Sequence, residues 1–116
     1  MKSKDAVAAL GALAQETRLA AFRALVEAGP RGLAAGALAA KLDVPPPTLS
    51  FHLTALANAG LVTATRDGRS IVYAADFAAI NGLVGFLTEN CCGGASCAPA
   101  SRTPPKRARA RRRVPA

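Results

Sequence analysis

The fold is decided by residues 44–62, which read VPPPTLSFHLTALANAGLV. Leu49, Leu53 and Leu56 recur at i, i+4 and i+7, a spacing that gives a helix one apolar side. The prolines before them predict the start of that helix, because its first turn needs no amide donor there. Gly60 follows the last apolar residues, where a left-handed residue commonly caps a helix. The stretch therefore predicts a helix that begins at the prolines and ends just before Gly60.

The opposite side of this helix is small and polar. No Asp, Glu, Lys or Arg occurs between Asp43 and Arg66, whereas a helix that faces solvent normally carries charged residues. Hydroxyl groups and one exposed aromatic ring suit a surface that enters a DNA groove and meets base edges. Taken alone, the helix is equally compatible with an ordinary surface helix in an alanine-rich protein. The residues on this side are Thr48, Ser50, Phe51, Thr54 and Asn58.

Three helices are predicted before this one, from apolar residues at helical spacing, and they span 4–15, 17–28 and 34–42. Thr17 is expected to cap the second helix. The tight turn at 43–45 gives residues 34–59 the layout of a helix-turn-helix. The buried stripe of the second helix is predicted to be Leu19, Phe22, Leu25 and Val26.

Two strands are predicted after the helix, at 61–66 and 69–74, because Asp67-Gly68 between two β-favouring runs indicates a hairpin. A hairpin directly after a recognition helix is a wing, so the predicted class is mainly α with a small β-hairpin wing. Arg66 and Arg69 bracket its tip, where they are expected to reach DNA phosphates or the minor groove. A pair of solvated hairpin charges is the alternative.

A fifth helix is predicted over 77–89, with Asp76 as its cap. Apolar residues cover much of its circumference. A monomer of 116 residues cannot bury that surface together with the apolar face of the first helix. We therefore expect a homodimer through the first and fifth helices. The alternative is a fifth helix that closes the core of a monomer.

The positive charge is concentrated at the C-terminus. The net charge is +8, of which +7 lies in residues 102–113 and only +1 in residues 1–101. A polyanionic partner is expected, although charge alone does not separate DNA from RNA or anionic lipid. The composition predicts a folded part over 1–90, a cysteine segment over 91–97 and a disordered basic tail over 98–116.

The cysteine content and the hydropathy of the chain favour a cytoplasmic protein. Three cysteines, two of them adjacent, do not form a disulfide framework, which agrees with a reducing cytoplasm. No transmembrane run occurs, so no membrane partner is expected.

Four segments together resemble the ArsR/SmtB family of arsenic- and metal-responsive winged helix-turn-helix repressors. They are Gln15-Glu16-Thr17-Arg18-Leu19, Thr48-Leu49-Ser50-Phe51-His52-Leu53, Ala59-Gly60-Leu61-Val62 and Arg66-Asp67-Gly68-Arg69-Ser70-Ile71. The resemblance spans residues 5–90. It implies a homodimer that represses an operon and releases double-stranded operator DNA on binding a toxic ion. With it, the residues expected to bind DNA are Pro47, Thr48, Ser50, Phe51, His52, Thr54, Arg66 and Arg69.

His52 carries a second interpretation. On a helical wheel it lies at the edge of the apolar stripe rather than opposite it. A structural contact at the flank of the helix is therefore at least as good an interpretation as a DNA contact.

The ligand residues depart from the family's best-known sites. Many members carry a Cys-x-Cys pair on the third helix, whereas residues 32–40 contain no Cys. The zinc sites of relatives, built from His and carboxylates on the last helix, are also absent, because His52 is the only His in the chain. Residues 88–94, TENCCGG, instead resemble the branch whose arsenite site follows the last helix.

Cys91, Cys92 and Cys97 are the predicted ligands. Three thiolates suit trivalent arsenic, or antimony, which takes three soft ligands, whereas zinc prefers a closed set of four. Gly93-Gly94 lets the chain fold back and bring Cys97 to the adjacent pair. The sequence thus predicts a repressor that arsenite, or antimonite, releases from DNA.

Three alternatives stay open. The same fold can sense an oxidant, a persulfide or another soft metal, although a helix C-terminus beside Glu89 does not activate a thiol. The cysteines can be incidental. A protein that coats nucleic acid through the Arg-rich tail is a third alternative. An enzyme is not expected, because no Cys-x-x-Cys occurs and Ser, His and Asp form no nucleophilic set.

Overall fold

The computed structural model describes residues 1–94 as five helices and a three-stranded antiparallel sheet. This confirms the predicted winged helix-turn-helix class. Short 3₁₀ turns occur at Gly29–Arg31 and Cys91–Gly94. The helices are α1 (Ser3–Leu13), α2 (Glu16–Ala28), α3 (Ala35–Leu42), α4 (Pro46–Asn58) and α5 (Phe77–Leu87), and the strands are β1 (Leu33–Ala34), β2 (Val62–Asp67) and β3 (Ser70–Ala75).

The chain divides after Phe86. Residues 1–86 form one compact unit with its own core, and residues 87–94 of the second unit hold the end of α5 and the 3₁₀ turn. None of the helices in the described part is long and apolar enough to cross a membrane. The predicted disordered tail and Cys97 lie outside the described residues.

The ends of α4 match the physical signals in its sequence. Pro45 precedes the helix with φ −56° and ψ 135°, outside the helical region, and prolines occupy the first turn. Gly60 has φ +80°, and the Leu61 amide donates to the Leu56 carbonyl at 3.0 Å. This is the left-handed ending that the glycine predicts. The chain therefore leaves α4 in a defined direction, straight into β2.

Two other helix starts differ in how well they were predicted. The Asp76 carboxylate accepts from the Ala79 amide at 3.1 Å, so Asp76 caps α5 as expected. The prediction that Thr17 caps α2 is wrong. Gln15 occupies the cap position, and its side-chain oxygen accepts from the Arg18 amide at 2.9 Å. Glutamine is an uncommon cap, whereas threonine is among the preferred cap residues, so residue preference alone points to Thr17.

The wing is shifted by one residue from its prediction. Asp67 pairs with Ser70, so the two-residue turn is Gly68-Arg69 rather than Asp67-Gly68. Gly68 has φ +64°, which means that the first turn position is the one that needs glycine. The strand β1 was not predicted. Its two residues pair with Tyr73 and Val72 of β3 at the edge of the sheet.

The core is built from leucines and alanines. Leu25, Leu38, Leu53, Leu56 and Leu61 have no exposed surface, and Leu49 is only 1% exposed. The predicted stripe of α2 is half correct, because Phe22 and Leu25 are buried but Leu19 and Val26 are 45% and 39% exposed. Ala21 and Ala24 of α2 take the inward positions instead. Small side chains let the helices approach closely, and several larger ones remain on the surface.

Gly32 offers a test of this packing. It has φ 71° and ψ −165°, a region that only glycine adopts without strain, and a Cβ there would collide with the Tyr73 carbonyl oxygen. We expect Gly32→Ala to lower the free energy of unfolding by about 2–4 kcal/mol, from backbone strain and overpacking together. Urea denaturation followed by circular dichroism measures this.

Gly36→Ala is the matched control. Gly36 lies in α3, and an added Cβ would meet nothing within 4 Å. That variant should gain up to about 1 kcal/mol, because alanine favours helix over glycine. Equal stability of the two variants would contradict the close approach of Gly32 to β3.

Candidate nucleic-acid interface and cysteine segment

The polar side of α4 faces solvent. Burial of Leu49, Leu53 and Leu56 turns the opposite side of the helix outward. Phe51 is 68% exposed, a large fraction for an aromatic ring that could otherwise join the core. The predicted DNA-binding residues of α4 that are exposed are Pro47, Thr48, Ser50, Phe51 and Thr54. This side combines hydroxyl groups with an apolar ring and carries no charge, so it can approach base edges in a groove.

His52 lies apart from this outward row. It is half-buried, and its Nδ1 lies 3.3 Å from Nη1 of Arg18 on α2. Its ring also meets Phe51 edge-on, with 5.4 Å between the ring centroids. The structural interpretation of His52, a hydrogen bond at the flank of the helix, is therefore present in the fold. A DNA contact through its other ring nitrogen is compatible with this hydrogen bond.

Arg18 is the residue that sequence reasoning missed. Besides meeting His52, it donates from Nε to the Ala12 carbonyl oxygen at 2.7 Å, at the end of α1. The only sequence signal was that Arg18 belongs to a segment matching the family, Gln15 to Leu19. A contact between residues 34 positions apart leaves no periodic trace in a single sequence.

The wing carries two exposed cations. Arg66 lies near the end of β2 opposite Ile71, and Arg69 lies in the turn itself. The hairpin follows α4 after only Ala59, Gly60 and Leu61, and Leu61 and Val62 are buried at its base. The guanidinium groups therefore project from a short, anchored hairpin beside the helix. Such cations suit phosphate contacts, which position a protein without reading sequence.

Two of the three predicted ligand residues lie within the described part of the chain. Cys91 and Cys92 are exposed, and their Sγ atoms are 3.6 Å apart. This separation is too long for a bond between the two sulfurs. With metal–sulfur bonds of about 2.3 Å, the zinc–thiolate length, sulfurs 3.6 Å apart subtend about 103° at one ion. The pair is therefore spaced to chelate a soft ion.

The backbone around these cysteines is unusual. Asn90, Cys92 and Gly93 have φ of 59°, 58° and 66°, in the left-handed region that only glycine adopts readily. The Gly93 amide donates to the Asn90 carbonyl at 2.9 Å, which closes the turn. Within residues 1–94, no group of three or more His, Cys, Asp or Glu side chains comes together as a metal site. A three-sulfur site thus needs Cys97.

A helix-turn-helix family model matches residues 13–64 of the chain. No match is found among the curated proteins. Among solved structures, the chain is similar to an ArsR-like transcriptional regulator from Rhodococcus sp. RHA1, with 30% identity and a TM-score of 0.68. That match covers 78% of this chain and 83% of the other.

Two further solved structures are similar to the chain. The AntR antimony-specific transcriptional repressor is 30% identical with a TM-score of 0.57, over 77% of this chain and 80% of the other. A homodimeric winged helix-turn-helix DNA-binding domain from Mycobacterium bovis, described as a possible ArsR-family regulator, is 26% identical with a TM-score of 0.60. It covers 79% of this chain and 85% of the other. With the fold and the exposed polar side of α4, these matches show that the chain belongs to the ArsR family of DNA-binding, winged helix-turn-helix transcriptional regulators.

Proposed function

We propose that this regulator is a homodimeric repressor that leaves its operator DNA when trivalent arsenic, or antimony, binds Cys91, Cys92 and Cys97. The observation that carries the proposal is the pair of exposed sulfurs 3.6 Å apart soon after α5 in the chain. A similar structure is that of a repressor described as antimony-specific. Antimony shares the trivalent, thiolate-seeking chemistry of arsenic, so this likeness supports the proposal.

The chemistry of the site is ligand exchange. Three thiols replace the three hydroxyl groups of arsenous acid, and three water molecules leave. No electron is transferred, and the ion stays trivalent. Soft thiolates favour such an ion, and three ligands leave room for its lone pair. Cys91 and Cys92 supply two sulfurs at chelating distance, and Cys97 is proposed as the third.

The DNA-binding surface is proposed to be the outward side of α4 together with the wing. Hydroxyl groups and the Phe51 ring would meet base edges and thymine methyl groups in the major groove. Arg66 and Arg69 would hold the backbone. In this arrangement α4 supplies sequence preference, and the hairpin supplies affinity that depends on salt.

The second copy of the chain is proposed to cover α1 and α5. Val7 and Leu10 of α1 are 66% and 43% exposed, and Val84 of α5 is 54% exposed. The N-terminal residue, two positions before α1, reaches α5, because a Cβ added at Gly82 would lie 3.8 Å from the Met1 methyl carbon. Several large apolar side chains exposed on two helices suit an interface with a partner. A two-fold dimer would place two α4 helices in major grooves one turn apart on an imperfect palindrome.

The protein releases DNA if the ion and the operator bind preferentially to different conformations of the dimer. Gathering three sulfurs would pull the segment after α5 and shift the end of that helix. Because α5 belongs to the proposed interface, the shift would change the spacing of the two α4 helices. A coupling free energy of about 2–3 kcal/mol would weaken DNA binding some 30- to 150-fold.

The direct test is fluorescence anisotropy of a labelled fragment of the upstream promoter, with reduced protein, before and after addition of arsenite. We expect tight binding that salt weakens, and release by micromolar arsenite. Adding peroxide or a persulfide to a parallel sample separates the alternative, a regulator of the same fold that senses oxidant, persulfide or another soft metal. Release by peroxide with no response to arsenite would favour that alternative.

Substitutions on α4 and the wing should have separable effects on DNA binding. We expect Arg66→Ala and Arg69→Ala each to weaken binding to all DNA sequences and to reduce the salt slope by about 1. Ser50→Ala and Thr54→Ala should lower the preference for operator over random DNA by about 1 kcal/mol each. Arg23→Ala, at an exposed position on α2, controls for loss of one charge. Wing variants that lose sequence preference at an unchanged salt slope would reverse these roles.

The proposed interface makes a prediction about assembly. Val7→Glu combined with Val84→Glu should convert the dimer into a monomer at micromolar concentration, because it would bury four carboxylates in one symmetric interface. Sedimentation velocity measures this. Ile71→Glu is the control, since Ile71 is an apolar residue on β3 that is 38% exposed. A double variant that remains dimeric, or a wild-type protein that is monomeric, would contradict the interface.

Substitution of the cysteines tests the proposed release mechanism directly. Cys91→Ser or Cys92→Ser should leave operator affinity near normal and abolish release by arsenite, because a hydroxyl is a poor ligand for a soft ion. Cys97→Ser should impair release less, since two thiols still chelate. The anisotropy assay measures all three. The proposal is falsified if the double variant at Cys91 and Cys92 still releases DNA at the wild-type arsenite concentration.

A further inference from the structure

Arg18 joins three helices through one side chain. It lies half-buried in the first turn of α2, where its backbone amide donates to the Gln15 side chain at 2.9 Å. From there its Nε donates to the Ala12 carbonyl oxygen at 2.7 Å, at the end of α1. Its Nη1 lies 3.3 Å from Nδ1 of His52, on α4. The same guanidinium therefore touches a helix of the proposed dimer surface and the proposed reading helix.

The contact with α1 explains why a cation is stable there. Ala12 carries one of the last four carbonyl groups of α1, which helix geometry leaves without partners inside the helix. These carbonyls are also the negative end of the helix dipole. The guanidinium thus satisfies an orphan acceptor and meets a favourable potential. This bond holds Nε at the end of α1, and Nη1 of the same guanidinium lies within reach of His52 on α4.

The contact between Arg18 and α4 determines which tautomer His52 adopts. A guanidinium has five N–H donors and no acceptor, so Nδ1 of His52 can only accept. A neutral imidazole that accepts at Nδ1 carries its proton at Nε2. The hydrogen-bond network therefore assigns His52 as the Nε2–H tautomer.

We infer that Arg18 is a positioning residue for sequence reading: it holds α4 against the end of α1 and presents His52 to DNA as an Nε2–H donor. The His52 ring meets Phe51, which is 68% exposed on the outward side of α4. An N–H donor at this edge can pair with purine N7, guanine O6 or a phosphate oxygen. The inference rests on the proposed function only in taking α4 as the helix that reads operator DNA.

Nuclear magnetic resonance tests the tautomer without DNA. Long-range proton–nitrogen spectra of the imidazole, recorded after titration to its neutral form, distinguish Nε2–H from Nδ1–H. We expect a single Nε2–H tautomer in the wild-type protein. His52 is the only histidine, so the signals need no further assignment. In Arg18→Lys both tautomers should be populated, because lysine has no planar fork and reaches only one of the two partners.

Anisotropy with the upstream promoter fragment and with random DNA tests the role in reading. Arg18→Lys should lower the preference for the promoter fragment five- to tenfold, or about 1–1.4 kcal/mol, and leave binding to random DNA unchanged because the charge is kept. Arg23→Lys makes the same change at an exposed position of α2 and should have no effect. His52→Ala should lose a similar preference, and adding Arg18→Lys to it should cost little more.

The outcomes separate this inference from the proposed function. An Nδ1–H tautomer or a mixture in the wild-type protein would overturn the assignment. Unchanged promoter preference in Arg18→Lys and His52→Ala, in protein that binds the promoter fragment, would overturn the reading role alone. If wild-type protein does not bind that fragment, the proposed function fails, and the spectra still decide the tautomer. His52→Ala keeps the test decisive even if Arg18→Lys does not fold.

Discussion

Burial of the three leucines on α4 is the constraint on which the rest of the structure depends. Leu49, Leu53 and Leu56 are at most 1% exposed, and burying each contributes about 1.5–3 kcal/mol. Rotating α4 about its axis would expose them, so the opposite side is held outward. The left-handed ending at Gly60 then sends the chain into the hairpin, and buried Leu61 and Val62 fix the base of the wing. The burial of these side chains thus places both α4 and the wing.

A core made largely of leucine and alanine has a second consequence. Ala6 and Ala9 of α1 are buried, whereas the larger Val7 and Leu10 point outward. Large apolar side chains of α1 and α5 therefore remain exposed, and we propose that a second copy of the chain covers them. Arg18 connects α1 to α4 through two hydrogen bonds. A shift of α1 at the proposed interface could therefore displace α4, the helix that we propose reads DNA, through these two hydrogen bonds.

The parts of the fold that rest on local signals were predictable from the sequence. Periodic leucines, first-turn prolines, a capping aspartate at Asp76 and a glycine at Gly60 each act within a few residues. The strand β1 was missed because two residues carry no period, and they pair only because β3 offers an edge. Leu19 and Val26 were placed inward because helical spacing marks an apolar face without saying what covers it.

Some features of the candidate site were likewise predictable from the sequence, and others were not. The adjacent cysteines and the exposed residues of α4 were visible, but the link from Arg18 to His52 joins positions 34 apart and could not be seen before folding. The distance between the two sulfurs depends on a left-handed backbone at Cys92, which no residue preference predicts.

In the proposed mechanism, the cysteine segment and the DNA surface bind their ligands in competing conformations of the protein. Calorimetric titration of arsenite into reduced protein, alone and then saturated with operator DNA, tests this most directly. Linkage requires DNA to weaken arsenite binding by the same factor by which arsenite weakens DNA binding, which we expect to be about 30- to 150-fold. Equal arsenite affinity in the two titrations would contradict the account.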